Sequence, residues 1–169
     1  MKKKEAEAKT NVMRLLETEG IPYTPWFYEH EGEQETGVGV HIAQMLGQDV
    51  DQVFKTLVTR GSSGGFFVFV IPVGEELDLK KAARAAGEKS VEMIAVREIL
   101  PVTGYVRGGC SPLGMKKRYP TVVDETCILF DTIYISAGKI GAQVQLSPDS
   151  LCALLGAKTA DLTKERGRD

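Results

Sequence analysis

Two apolar runs, Val53 to Thr59 and Phe66 to Ile71, stand either side of Arg60-Gly61-Ser62-Ser63-Gly64-Gly65. A Gly/Ser-rich stretch between two strand-like runs reads as a hairpin turn, so the chain must contain an antiparallel pair. The other elements have to be arranged around that pair. Residues 8–19 read as a helix, with Val12, Leu15 and Leu16 on one face and Gly20 as its stop. Ile21 to Glu29 reads as extended, and Pro22 and Pro25 confine it to a sheet edge. Thr36 is placed to cap a second helix that runs to Leu46 and closes at Gly47.

Leu79 to Ala86 predicts a short helix closed by Gly87. Val91 to Ile94 predicts a strand, and Val96 to Leu100 a helix ended by Pro101. Thr103 to Met115 holds Gly104, Gly108, Gly109, Pro112 and Gly114, the composition of a loop. Thr121 to Val123, Ile128 to Phe130, Thr132 to Ser136 and Gln143 to Leu146 predict strands. Ser147-Pro148-Asp149 starts a last helix that stops at Gly156. Strands in the middle with helices at both ends and between them predict an α/β class, a mixed β-barrel or sheet core flanked by helices. No regular βαβ repetition supports a doubly wound sheet.

The length of 169 residues suits one domain over 1–169, with a core of about 8–163 and frayed ends at 1–6 and 164–169. A chain of this size buries roughly 68–70% of its unfolded surface, so one core needs no metal or disulfide staple. Hydrophobic residues at 43% exclude disorder as the whole answer. No run is long and apolar enough for a transmembrane helix, so no membrane partner is expected. Acidic Glu5 and Glu7 follow Met1-Lys2-Lys3-Lys4 where a secretory leader carries an apolar run, so the expected compartment is the cytoplasm. Three cysteines, Cys110, Cys127 and Cys152, form no CxxC pair and read as free thiols. A net charge of −2 excludes coating of nucleic acid by bulk electrostatics, and no DNA partner is expected. It leaves room for a local basic site.

His30 and His41 have no Cys or His at ligand spacing, so no metal is expected. Neither a dinucleotide fingerprint nor a phosphate loop is present, and no cofactor is expected. Cys110 lies in Gly108-Gly109-Cys110-Ser111-Pro112, where a nucleophile could be exposed. A catalytic Cys needs a base in reach, so its reading as a small apolar residue in a tight loop is favoured. Cys127 and Cys152 read as packing residues. Lys55 stands inside the apolar run Val53-Phe54-Lys55-Thr56-Leu57-Val58. It is either a solvated lysine on an edge strand or a cation aimed into a pocket to hold a phosphate or an oxyanion. Gly104 to Gly114 allows close backbone approach to a ligand. Met115-Lys116-Lys117-Arg118-Tyr119 follows, either an ordinary solvated turn or a contact for a phosphate backbone. Ile135 to Gly141 is either a bulged hairpin or a ligand-contacting turn.

Taken together, these segments resemble the YbaK-type prolyl-tRNA editing family of freestanding deacylases. The resemblance is carried by Phe54-Lys55-Thr56-Leu57, by Thr103-Gly104-Tyr105 running into Gly108-Gly109-Cys110-Ser111-Pro112-Leu113-Gly114, and by Ile133-Tyr134-Ile135-Ser136-Ala137-Gly138-Lys139. Tyr28-Glu29-His30, Leu79 to Ala83 and Val91-Glu92-Met93 also fit, so it covers roughly residues 10–163. It implies hydrolysis of the ester that joins an amino acid to the 3′ end of tRNA, with cysteine on proline tRNA as the best-known substrate. It implies catalytic roles for Lys55, Thr56 and Gly109. Tyr28, His30, Gly108, Ser111, Ser136, Gly138 and Gln143 are then substrate-binding residues.

The same resemblance implies no protein nucleophile: the substrate thiol attacks its own ester and leaves as a thiolactone, using proximity already present in the substrate. Backbone N–H groups near Gly109 would hold the oxyanion. Aminoacyl-tRNA is the implied partner, with a prolyl-tRNA synthetase supplying part of the tRNA selection in a ternary complex. Gln143 stands where some cysteine-specific relatives carry an aspartate, and a neutral amide cannot accept a proton or pair with an α-ammonium as a carboxylate can. Ala137 replaces a common glycine. The alternatives are a deacylase for another small amino acid, such as alanine on proline tRNA, and a catalytically silent tRNA- or nucleotide-binding protein.

Overall fold

The hairpin forms where the turn composition places it. In the computed structural model, which describes residues 8–30 and 38–165, strand β2 (Phe54–Gly61) pairs antiparallel with β3 (Phe66–Pro72), from Phe54 opposite Pro72 to Arg60 opposite Phe66. Gly61 N–H donates to Gly65 O across the turn, and Gly64 supplies its left-handed residue at φ +95°. Strand β4 (Val91–Met93) pairs with β2 only at Thr59–Gly61. Strands β5 (Thr121–Asp124) and β8 (Lys158–Ala160) extend the sheet in parallel beyond β3, giving the order β4-β2-β3-β5-β8. A second, antiparallel sheet has the order β1-β7-β6, from β1 (Tyr23–Phe27), β6 (Ile133–Ser136) and β7 (Ala142–Leu146). Strand β1 is an edge strand, as Pro25 within it requires. A bridge between Val53 and Tyr134 links the two sheets without closing them, so the mixed core is a pair of sheets and not a barrel.

Local chemistry sets the helices. Helix α1 (Asn11–Thr18) is capped by Thr10, whose hydroxyl accepts from Met13 N–H. It buries Val12, Met13 and Leu16, while Leu15 is only partly buried. Helix α2 spans Val38–Met45; its expected cap, Thr36, lies outside the described residues. Helix α3 (Leu79–Ala86) is capped by Asp78 and ends on left-handed Gly87. Helix α4 (Val96–Thr103) and helix α5 (Pro148–Leu155) end on left-handed Gly104 and Gly156, and Ser147 caps α5.

Three expectations are corrected, and one strand is new. Ile128 to Phe130 is not a strand: Glu125–Leu129 forms a 3₁₀ turn, because the Asp124 carboxylate accepts from Thr126 N–H and from its hydroxyl and so bends the chain. Pro101 does not end α4. The last turn survives because Thr103 Oγ1 donates to Ile99 O and Gly104 N–H donates to Leu100 O. Strand β8 has too short and polar a pattern to be read from sequence. Lys164 is not frayed: its N–H donates to Glu76 O and its ammonium pairs with the Glu76 carboxylate.

Three clusters pack these layers. Between the sheets lie Phe54, Val58, Val68, Val70, Ile135 and Val144, covered by α1 and by Leu151 of α5. Behind the large sheet, Phe69 and Ile71 meet Ala82 and Ala83 of α3. Each fully buried Val, Leu, Ile or Phe among them contributes on the order of 1.5–3 kcal/mol. The third cluster lies on the far face of the small sheet: Tyr134 with Val53, Val73 and Ala43, flanked by Trp26 and Val40. No helix among the described residues is long and apolar enough to cross a membrane.

Candidate active site

Strand alternation puts Trp26, Tyr134, Ser136, Gln143 and Gln145 on the far face of the small sheet, since Ile133, Ile135, Ala142 and Val144 point into the main core. This face is polar and aromatic. Trp26 meets Tyr134 edge-on at 5.6 Å, and its Nε1 donates to Gln145 Oε1 at 3.0 Å. Gln143 stands opposite Ser136 on one side and Trp26 on the other. Gln143 is buried, and its Oε1 accepts from Gln48 Nε2 at 2.8 Å. Gln48 Oε1 is buried without a partner among the described residues.

Lys55 borders this face. It follows Val53, which belongs to the Tyr134 cluster, and its Nζ reaches Val73 O, a member of the same cluster, at 3.4 Å. It is not on an edge strand, because β2 lies between β4 and β3. Yet β4 stops at Thr59, which leaves the Lys55 end of β2 free of that neighbour. Burial pulls the ammonium below its usual 10.5, and the Glu76 and Glu75 carboxylates pull it back. The result is a partly desolvated cation with one long bond to a carbonyl. Thr56 alternates to the opposite face, with Phe54 and Val58, so the strand does not present it beside Lys55.

The turn after β6 is the meeting point for most of the other predicted residues. Ser136 Oγ accepts from Gly138 N–H at 3.1 Å, and Gly138 and Gly141 both have positive φ, +97° and +96°. Tyr28 N–H donates to Gly141 O at 2.9 Å, and the exposed His30 ring lies against Gly141. Burial pushes the Tyr28 phenol up, opposed by a backbone hydrogen bond at Gly141. On the other side of the turn, a Cβ on Gly109 would fall 3.0 Å from Ile140 N and 3.1 Å from Lys139 C and Cα. The glycine loop therefore lies directly on the turn's backbone, with Gly108 against the Ile140 side chain. Tyr28, His30, Gly108, Gly109, Ser136 and Gly138 are thus brought together.

The loop also shows which N–H groups are open. Gly109 N–H is engaged by Val106 O at 3.0 Å. The N–H groups of Gly108 and Cys110 have no acceptor among the described residues. Ser111 is fully buried, and its hydroxyl accepts from Leu113 N–H, so it shapes the loop from inside. Burial pushes the Cys110 thiol up to about 11, which leaves it protonated at neutral pH. Sequence reasoning missed Gln48 and gave Tyr105, part of a matching motif, no role of its own. The Tyr105 hydroxyl donates to Leu113 O and its ring packs on Gly138, which ties the glycine loop to the turn.

The model of the aminoacyl-tRNA editing domain matches residues 39–154, which include Lys55, the glycine loop, the turn and Gln143. The chain belongs to the aminoacyl-tRNA editing family. A relative from Enterococcus faecalis, EbsC, named for Cys-tRNA(Pro)/Cys-tRNA(Cys) deacylation, is 42% identical over 163 residues, 96% of this chain and 98% of its own. Uncharacterized protein YwhH of Bacillus subtilis is 25% identical over 76% of this chain and 83% of its own. Among solved structures, one described as a trans-editing enzyme for prolyl tRNA synthetase superposes with a TM-score of 0.75 at 27% identity, covering 94% of this chain and all of that one. The hypothetical protein APE2540 shares the fold, with a TM-score of 0.82 at 24% identity over 92% of this chain and 100% of its own. Within the editing family, the contact of the glycine loop with the strand-end turn and the bordering lysine make up the candidate active site of this chain.

Proposed function

We propose that this protein, as one editing domain over residues 1–169, removes cysteine from mischarged proline tRNA in trans. The observation that carries this reading is the partly desolvated Lys55 ammonium at the border of the small sheet's polar face, in a chain 42% identical to a relative named for that deacylation. Ester cleavage builds negative charge on the carbonyl oxygen. A cation in a low-dielectric wall and open N–H groups at Gly108 and Cys110 suit that charge. The protonated Cys110 thiol argues that the attacking sulfur comes from the substrate. The substrate thiol loses its proton, its sulfur bonds to the ester carbon, and the C–O bond to the ribose breaks. The 3′ oxygen then takes a proton, and water opens the released thiolactone.

Gln143 favours a second reading. With its Oε1 held by Gln48, it offers no carboxylate to take the proton of a substrate thiol, which removes one ground for a cysteine preference; alanine, attacked by water, is then the competing substrate. Single-turnover deacylation of Cys-tRNA(Pro) and Ala-tRNA(Pro) separates the two. The expected result is rapid loss of cysteine with alanine spared; loss of alanine instead would establish the second reading, and loss of neither would sink both. In the same assay Cys110→Ser keeps a rate close to wild type, and a large loss would restore the protein nucleophile. The net charge of −2 suits weak intrinsic tRNA affinity and a ternary complex with prolyl-tRNA synthetase in the cytoplasm. That complex is tested by adding the synthetase at low enzyme concentration: turnover rises if it forms, and unchanged turnover counts against it.

A further inference from the structure

The glycine loop has a second face. Beyond Gly109 it becomes one wall of a cleft of about 270 Å³ between α1 and the end of α5. Leu15, Met115, Tyr119 and Leu154 give the cleft an apolar lining, and Lys117 and Arg118 add two cations. Glu19 is the acid among its lining residues. The Tyr119 ring is fixed by its edge-on contact with Phe66 and by a hydroxyl bond to Val102 O at 2.8 Å. Arg118 donates to Leu154 O at the C-terminal end of α5, where the helix dipole favours a cation. Lys117 is exposed and makes no hydrogen bond or ion pair among the described residues.

An apolar slot with cations is the combination that holds a base and its phosphate. The position of the cleft narrows the ligand further. Its lining includes Pro112, three residues after Gly109, and three residues span at most about 11 Å. That is the reach of a nucleotide or two from the oxyanion donors. We propose that this cleft is an RNA subsite that takes the nucleotide preceding the terminal adenosine of the substrate's single-stranded 3′ end. The base enters the apolar slot, and its phosphate rests on Lys117 and Arg118. This inference rests on the editing reading and adds how the RNA end is held.

The test compares two substrates, Cys-tRNA(Pro) and 2′(3′)-O-cysteinyl adenosine, which has no preceding nucleotide. The readout is the ratio of their kcat/KM values. Lys117→Glu lowers that ratio about tenfold through KM for the tRNA, and Lys117→Ala reduces the salt slope of log KM by about one. Lys80→Glu, the same charge change on an exposed residue at the start of α3, leaves the ratio unchanged. A ratio that Lys117→Glu does not move, or that Lys80→Glu moves equally, overturns the subsite while the editing activity stands. A wild type that cleaves neither substrate overturns the editing reading, and the subsite falls with it.

Discussion

Replacing Lys55 with alanine or methionine lowers kcat/KM for deacylation by about a hundred- to a thousandfold, the range seen when one preorganised oxyanion donor is removed. The protein stays folded. Lysine loses protons more readily here than in the unfolded chain, since burial outweighs the Glu76 and Glu75 carboxylates in setting its pKa. The unfolded state therefore binds more protons at alkaline pH. Stability rises as pH climbs from the lowered folded value towards 10.5, and the half-buried charge is a net cost below that window. Lys55→Met removes this cost, so its thermal midpoint at neutral pH equals or exceeds that of wild type. The pH profile gives an independent check. If the ammonium is the active form, the alkaline limb of kcat/KM lies below the ordinary lysine range. Thermal melts and single-turnover rates on the same samples decide the matter. A Lys55→Met variant that is destabilised in step with its lost activity would reduce Lys55 to a packing residue.

The contrast between Lys55 and Gln143 shows what a sequence carries and what it hides. Lys55 was conspicuous because a charge interrupts an apolar strand. The turn at Gly61–Gly65, the Ser147 cap and the glycine stops were legible for the same reason: each depends on residues within a few positions. Gln143 was singled out by resemblance, but its partner Gln48 lies 95 residues away, and no local pattern pairs two glutamines across that distance. The 3₁₀ turn at Glu125–Leu129 was missed because one side chain, Asp124, overrode a strand-like composition. The glycine loop was legible as backbone-driven. Which N–H groups it leaves open was not, because that depends on the bond from Gly109 to Val106. Of the N–H groups near Gly109 expected to hold an oxyanion, the bond to Val106 leaves those of Gly108 and Cys110 as the candidates.

Gly109→Ala should damage the protein in a way that separates the glycine's two uses. Gly109 does not have a positive φ, so alanine meets no dihedral penalty there. The penalty is contact: the new methyl lies 3.0 Å from Ile140 N and 3.1 Å from Lys139 C and Cα. These are backbone atoms and cannot rotate away, so the loop and the turn must separate. Overpacking of this kind costs about 1–3 kcal/mol. At this chain length each kcal/mol lowers the thermal midpoint by about 2–4 °C. The rate falls as well, because the loop that shifts by a few tenths of an ångström carries the Gly108 and Cys110 N–H groups; a misplacement of about 1 Å would cost on the order of a hundredfold, so the expected loss is below that. Gly65→Ala is the matched control. Its methyl meets nothing closer than 3.8 Å, so stability and rate stay near wild type. Melting curves and single-turnover rates for the two variants give the answer. Gly109→Ala with lowered stability but an unchanged rate would remove the loop N–H groups from the chemistry and leave Lys55 as the principal stabiliser of the oxyanion.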